Sequence, residues 1–302
     1  MFEALKNRGN KMFYGSMVAI VTPFKNGNVD ESALRELVEF QIENGTDAIV
    51  PCGTTGESAT LTYDEHQKVI EICIDATNKR AKVIAGTGSN CTREAIEITR
   101  HAKDAGADGV LLISPYYNKP TQEGLFKHYE AIANSVNIPI VLYNVPSRTS
   151  VNMLPETVAR LAEFNNIVAV KEASGDIVQI MKIINLCGDK IDVLSGDDAM
   201  FFPILCVGGK GVISVSANIV PQKIAAVYDS YVNGDYNAAR MMSDELLKLN
   251  NAMFIETNPA PVKKALSLMG KISSDEVKLP LCQMSEAGTD KLKAILSEYK
   301  LI

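Results

Sequence analysis

The segment Ala105-Gly106-Ala107-Asp108-Gly109-Val110-Leu111-Leu112-Ile113-Ser114 ends a polar helical pattern and opens an uninterrupted apolar run, with glycine at the join. Glycine just past a helix takes the left-handed turn that stops it, and a short run apolar at every position reads as a strand buried on both faces. The same punctuation recurs as Asn44-Gly45-Thr46-Asp47-Ala48-Ile49-Val50 and as Gly208-Gly209-Lys210-Gly211-Val212-Ile213-Ser214. Outward from these, the runs are SMVAIVT from Ser16, TDAIVPC from Thr46, KVIAGTG from Lys82, DGVLLIS from Asp108, PIVLYNV from Pro139, IVAVKEA from Ile167, IDVLSGD from Ile191 and KGVISVS from Lys210. Helical patterns such as DESALRELVEFQIENG and TREAIEITRHAKDAG lie between them, with Asp30 or Thr92 as N-cap and Gly45 or Gly106 beyond the last turn. Eight β-then-α units with doubly apolar strands predict a (β/α)8 TIM barrel of the α/β class. The rival, a doubly wound open sheet, normally carries a glycine-rich dinucleotide turn after its first strand, whereas here that strand runs into TPFKNGN.

From Pro221 onward the pattern is helical only, over Pro221 to Gly234, Asp235 to Phe254, Pro259 to Met269 and Thr289 to Tyr299. The first of these completes the barrel and the others form a C-terminal helical appendage. The expected organisation is a loose N-terminal extension over residues 1–11, a catalytic barrel over 12–234 and a C-terminal helical region over 235–302. With 302 residues and 46% hydrophobic content the chain can bury one large core. A net charge of −6 with no Lys or Arg run longer than a pair argues against a nucleic-acid partner. The apolar run after Ser16 stops at Pro23, too short for a membrane span. The six cysteines form no C-x-x-C pair and sit singly in apolar stretches, which suits buried thiols in a cytoplasmic protein.

Catalytic groups of a parallel barrel stand at the C-terminal ends of its strands. Lys171 follows Ile167-Val168-Ala169-Val170 directly and so projects from a buried strand into the barrel mouth. An isolated lysine there is ordinarily a solvated one; the hydroxyl-rich neighbouring strand ends shift the reading toward chemistry. An unperturbed lysine is neutral in about one copy in 2,500 at pH 7, and each unit of pKa depression gives roughly tenfold more nucleophile. A desolvated lysine is therefore a natural attacker of carbonyl carbon. Tyr143, on the adjacent strand, is either a core aromatic or a proton shuttle, with Thr54 and Tyr117 from other strand ends as partners in a relay. The Gly53-Thr54-Thr55-Gly56 loop is either a tight turn or a cradle of backbone N–H groups for a carboxylate. His66, His101 and His128 fall on helical patterns without ligand spacing, so no metal centre is expected. Asp197 and Asp198 read as helix N-caps rather than cation ligands. No cofactor is expected, since a pyridoxal phosphate site needs a phosphate cradle and Gly208-Gly209 precedes its strand.

With GTTGES, SPYYNKP, YNVPSRT, VKEASGD, LSGDD and GVISV in this order, the chain resembles the dihydrodipicolinate synthase family from about Met12 to its C-terminus. That family belongs to the pyruvate-dependent class I aldolases and lyases, with N-acetylneuraminate lyase and 2-keto-3-deoxygluconate aldolase. The resemblance implies that Lys171 forms a Schiff base with pyruvate and that the enamine attacks L-aspartate 4-semialdehyde, a step of diaminopimelate and lysine biosynthesis. It implies a relay of Tyr143, Thr54 and Tyr117, with Tyr117 supplied by a neighbouring subunit of a homodimer or, more commonly, a tetramer built as a dimer of dimers. Thr55 is implied to hold the pyruvate carboxylate, Arg148 that of the semialdehyde, and the carbonyls of Gly196 and Ile213 to line the site. Inhibition by L-lysine is implied at Ser58, Ala59, Tyr63, His66, Asn90, Glu94 and Tyr116, although Tyr63 stands where regulated members often have histidine. Two alternatives stay open: an aldolase for a sugar acid, and a pyruvate-binding barrel without catalysis.

Overall fold

The computed structural model describes residues 12–302; the extension expected over residues 1–11 lies outside them. Eight strands form at the eight apolar runs: β1 Gly15–Ala19, β2 Ala48–Val50, β3 Lys82–Gly86, β4 Gly109–Ile113, β5 Ile140–Asn144, β6 Ile167–Glu172, β7 Asp192–Ser195 and β8 Gly211–Ser214. Each pairs in parallel with its sequence neighbour, and β1 closes on β8 through Gly15 opposite Gly211 and Val18 opposite Ser214. The sheet is thus a closed barrel, which overturns the open-sheet alternative. No helix among the described residues is long and apolar enough to cross a membrane.

The helices follow the strands: α1 Glu31–Glu43, α2 Tyr63–Thr77, α3 Thr92–Ala105, α4 Gln122–Ser135, α5 Pro155–Leu161, α6 Ile177–Cys187, α7 Phe201–Cys206 and α8 Pro221–Val232. Asp30 caps α1 by accepting from Ala33 N–H, as its position suggests. Thr92 does not cap α3: the cap position is Cys91, and the Thr92 hydroxyl is instead 2.9 Å from His128 Nδ1 on α4. Beyond the barrel lie α9 Tyr236–Ala252, α10 Ala260–Leu268 and α11 Glu286–Glu298. The last starts ahead of the expected Thr289, because the Ser285 side chain accepts from Gly288 N–H and carries the first turn through that glycine.

Two apolar clusters hold the molecule. Outside the strands, Leu142 and Val170 pack with the barrel helices and with Leu249, Leu266 and Leu296 of the C-terminal helices. Inside, Met17, Val50, Ile84, Leu111, Val141, Ala169, Leu194 and Ile213 fill the bore, closed at its amino end by Phe13. A Cβ on Gly109 would lie 2.5 Å from the Phe13 ring, so only glycine lets the plug seat there. The two-residue period decides what faces the bore. Val141 and Ala169 point inward, so Tyr143 and Lys171 do too, one layer higher and at the carboxyl end. The expectation of six buried cysteines fails in part. Cys206 and Cys282 are exposed and Cys91 is half-buried, all six being free thiols. Cys206 ends α7 beside the buried Ile204 and Leu205, and Cys282 lies in the loop before α11.

Candidate active site

Tyr143 and Lys171 are direct register partners on β5 and β6, and the Lys171 Nζ lies 4.3 Å from the centre of the Tyr143 ring. Both are buried. Burial pushes the Lys171 amine down to about 8; nearby Asp198 opposes this and the Arg148 charge adds to it. A lysine with that value is neutral in roughly one copy in ten at pH 7. Burial raises the Tyr143 phenol, against a hydrogen bond with Thr54 and the Arg148 charge, so it is a protonated donor at neutral pH. Gly196 gives the lysine stem its room: a Cβ there would stand 3.0 Å from Lys171 Cε and 2.7 Å from Ala173 Cβ.

A cavity of about 320 Å³ opens over this pair, lined by Lys171, Tyr143, Thr54, Thr55, Gly196 and Asn258 among others. The Thr55 hydroxyl accepts from Asn258 Nδ2 at 3.0 Å, and Arg148 Nη2 donates to the Asn258 carbonyl at 3.3 Å. Arg148 sits in the single helical turn Pro146–Thr149 directly after β5 and lines the adjoining larger cavity rather than this one. Ile213 is fully buried in the bore and lines neither cavity described here. Tyr117 stands apart from its own chain's site. It is 90% exposed, with a left-handed backbone at φ 68°, and lines neither cavity.

A second cavity of about 610 Å³ adjoins the first and shares Thr54, Tyr143 and Asn258 with it. Six of the seven residues matched to an effector site line it: Ser58, Ala59, Tyr63, His66, Glu94 and Tyr116. Asn90 does not, its amide donating to the Tyr116 carbonyl at 3.3 Å. Glu94 accepts from Ser89 Oγ at 2.9 Å and lies against Tyr63, whose phenol is raised by burial first and by Glu94 next. Burial drives His66 down to about 4, so it is neutral here.

Several polar groups around the site escape a reading of the sequence. Asp197 does cap, accepting from Ala199 N–H at 2.9 Å. Asp198 does not: it is buried and accepts from Ser214 Oγ, from Val215 N–H at 2.9 Å and from Ser216 N–H at 3.1 Å, tying the ends of β7 and β8 together. Glu172, next to Lys171 but on the outward face, accepts from Asn144 Nδ2 and Gln179 Nε2, each at 3.2 Å, and from Ser174 N–H at 2.7 Å. Glu57 forms a fully buried ion pair with Lys263 at 2.7 Å. The serines after Ile213 were the one signal for Asp198; nothing near Glu57 in sequence announces Lys263.

A closed parallel barrel whose strand ends gather a buried low-pKa amine, a facing phenol and hydroxyl-bearing loops is the architecture of a class I lyase, in which a lysine bonds a carbonyl substrate. The sequence profile of the dihydrodipicolinate synthetase family matches residues 12–299, and the chain belongs to that family. It is 66% identical to the 4-hydroxy-tetrahydrodipicolinate synthase of Geobacter sulfurreducens and 65% to that of Citrifermentans bemidjiense, each over 96% of this chain and all of the relative. Among solved structures, the dihydrodipicolinate synthase of Aquifex aeolicus superposes with a TM-score of 0.94 at 48% identity, covering 96% of this chain and 99% of that one. The chloride-inhibited Acinetobacter baumannii enzyme complexed with pyruvate gives 0.93 at 47%, covering 96% and 99%. The lysine-bound Cyanidioschyzon merolae enzyme gives 0.93 at 39%, covering 97% and 100%.

Proposed function

We propose that the protein condenses pyruvate with L-aspartate 4-semialdehyde to give 4-hydroxy-tetrahydrodipicolinate, through a Schiff base on Lys171. The observation that carries this is the inward-facing pair of a desolvated lysine amine and a protonated tyrosine at 4.3 Å, closing one cavity. The neutral amine attacks the pyruvate ketone carbon, and the phenol of Tyr143 protonates the departing hydroxyl, which leaves as water. The Tyr143 phenolate then takes a methyl proton from the iminium, which restores the phenol and gives an enamine. Its terminal carbon attacks the aldehyde, the new alkoxide taking a proton back through the relay of Tyr143 and Thr54. The amine of the semialdehyde portion then attacks the imine carbon, closes the ring and returns Lys171 as a free amine.

Thr55 and the backbone of its loop hold the pyruvate carboxylate, and Arg148, reaching from the adjoining cavity, holds the acceptor's carboxylate, a task suited to a guanidinium fork. The carbonyls of Gly196 and Ile213 orient the lysine. The exposure of Tyr117 supports its use by a second copy of the chain, and hence a homodimer that pairs into a tetramer. The clustering of Ser58, Ala59, Tyr63, His66, Glu94 and Tyr116 supports feedback inhibition by L-lysine in the larger cavity, and the free thiols suit a cytoplasmic enzyme. Borohydride reduction in the presence of pyruvate tests the core of the reading: a reduced three-carbon adduct belongs on Lys171, and an unchanged intact mass, or a label on another lysine, refutes it. A panel of aldehydes separates this acceptor from those of sugar-acid aldolases, and turnover of none leaves a binding barrel.

A further inference from the structure

The loop between β2 and α2 carries Thr54 and Thr55, yet its backbone is under strain at both ends. Cys52 and Glu57, neither a glycine, hold left-handed conformations at φ 54° and 58°, each an unfavourable choice for a residue with a Cβ. The loop also lies hard against β3, where a Cβ on Gly86 would stand 2.0 Å from the Cys52 carbonyl oxygen. Such a conformation persists only where partners enforce it. Inside the loop, Glu57 N–H bonds the Thr54 carbonyl at 3.1 Å, and the Thr22 hydroxyl bonds the Gly56 carbonyl at 2.8 Å.

Asn258 Nδ2 holds the Thr55 hydroxyl at 3.0 Å, and a further restraint comes from beyond it in the chain. One Glu57 carboxylate oxygen meets Lys263 Nζ at 2.7 Å and the other accepts from Lys278 N–H at 2.8 Å. The side chains of Glu57 and Lys263 are both at 0% exposure, with the ammonium 4.1 Å above the Phe24 ring. Stability alone does not call for such a pair. A dry ion pair forfeits about as much hydration as it regains in attraction, and well-packed apolar residues commonly serve the fold equally well. What the charged arrangement adds is direction: two acceptor oxygens fix the orientation of Glu57, and with it the neighbouring Thr54 and Thr55.

We propose that Glu57 is a positioning residue for the pyruvate half of the reaction, the Lys263 and Lys278 contacts holding the Thr54-Thr55 loop in its pyruvate-binding shape. The proposal rests on the reading of Lys171 as the pyruvate-bonding amine. Three variants test it, with steady-state constants for both substrates, pyruvate-dependent borohydride trapping and thermal melting. Glu57→Asp keeps the charge but is a methylene too short to reach both partners. Glu57→Gln leaves Lys263 unpaired, and Glu57→Leu with Lys263→Met removes both charges together. The expected result is a pyruvate KM raised about tenfold in Glu57→Asp and more in the double variant, with the semialdehyde KM within about twofold of the parent. Trapping at saturating pyruvate should still label Lys171 fully. A folded double variant or a Glu57→Asp protein with the parent's pyruvate KM would overturn the proposal. So would activity that falls only in proportion to the trappable fraction, since both mark the pair as scaffold alone. If charge-removing variants do not fold, the KM of Glu57→Asp decides. A parent enzyme that pyruvate and borohydride fail to label would instead refute the reading of Lys171.

Discussion

Lys171 and Lys263 are both buried, and both amines are pushed down, first of all by burial. Their surroundings differ in one respect. Lys263 meets the Glu57 carboxylate at 2.7 Å, whereas among the described residues no carboxylate comes within ion-pair distance of Lys171, whose amine instead faces the Tyr143 ring. A paired ammonium keeps its proton and acts as a fastener; an unpaired one gives it up readily and becomes a nucleophile. The Asp198 carboxylate nearest in effect to Lys171 is already occupied by Ser214, Val215 and Ser216, so it tempers the amine without neutralising it.

The contrast breaks first at Lys171 itself. Lys171→Arg should keep the charge and lose turnover on the order of a thousandfold or more, since a guanidinium does not deprotonate to attack carbon; a steady-state assay beside a melting curve separates lost chemistry from lost fold. Lys263→Met should instead cost stability, about 3–5 kcal/mol, because Glu57 is left charged and dry. Denaturant titration reads this, and adding Glu57→Leu should return most of the loss.

Lys171→Met should stabilise the fold at pH 7, by roughly 3 kcal/mol from the shift to about 8. The sign follows from the protons bound: with the amine depressed in the folded state, the unfolded chain holds the proton more tightly. The penalty is therefore full below pH 8 and fades as pH rises toward the unfolded value near 10.5. Melting of parent and variant at pH 7 and pH 10 should show the gap closing. The same amine sets an acid limb, with kcat/KM for pyruvate falling about tenfold per pH unit below 8. The smallest effect belongs to a lysine in water. Lys223 meets Glu245 at 2.6 Å, as closely as Lys263 meets Glu57, but with side chains 38% and 60% exposed, so Lys223→Ala should shift stability by less than about 1 kcal/mol.

Lys171 is legible because its evidence is local: an apolar strand, an alternation of faces, a residue at the carboxyl end. The eight strands are legible on the same grounds. Lys263 is not, because its partner is 206 residues away and either lysine of NPAPVKKAL reads as a solvated position on an amphipathic helix. Asp198 is half legible: its neighbour does cap, but that it is buried against the end of β8 depends on barrel closure. The α3 cap went astray for a related reason, since Thr92 is drawn to His128 on another helix. Local pattern carries elements and strand ends; polar contacts made across the barrel come into being only when it closes.

The register that sets Tyr143 opposite Lys171 is written in main-chain hydrogen bonds of β5 and β6, while Thr55, Arg148 and Tyr117 are all borne on loops. In the proposed reading the amine and its facing phenol stand on strands, while the rest of the relay and the carboxylate contacts stand on loops. A change confined to those loops would then alter the contacts to substrate while leaving the amine and the phenol in register on the same two strands.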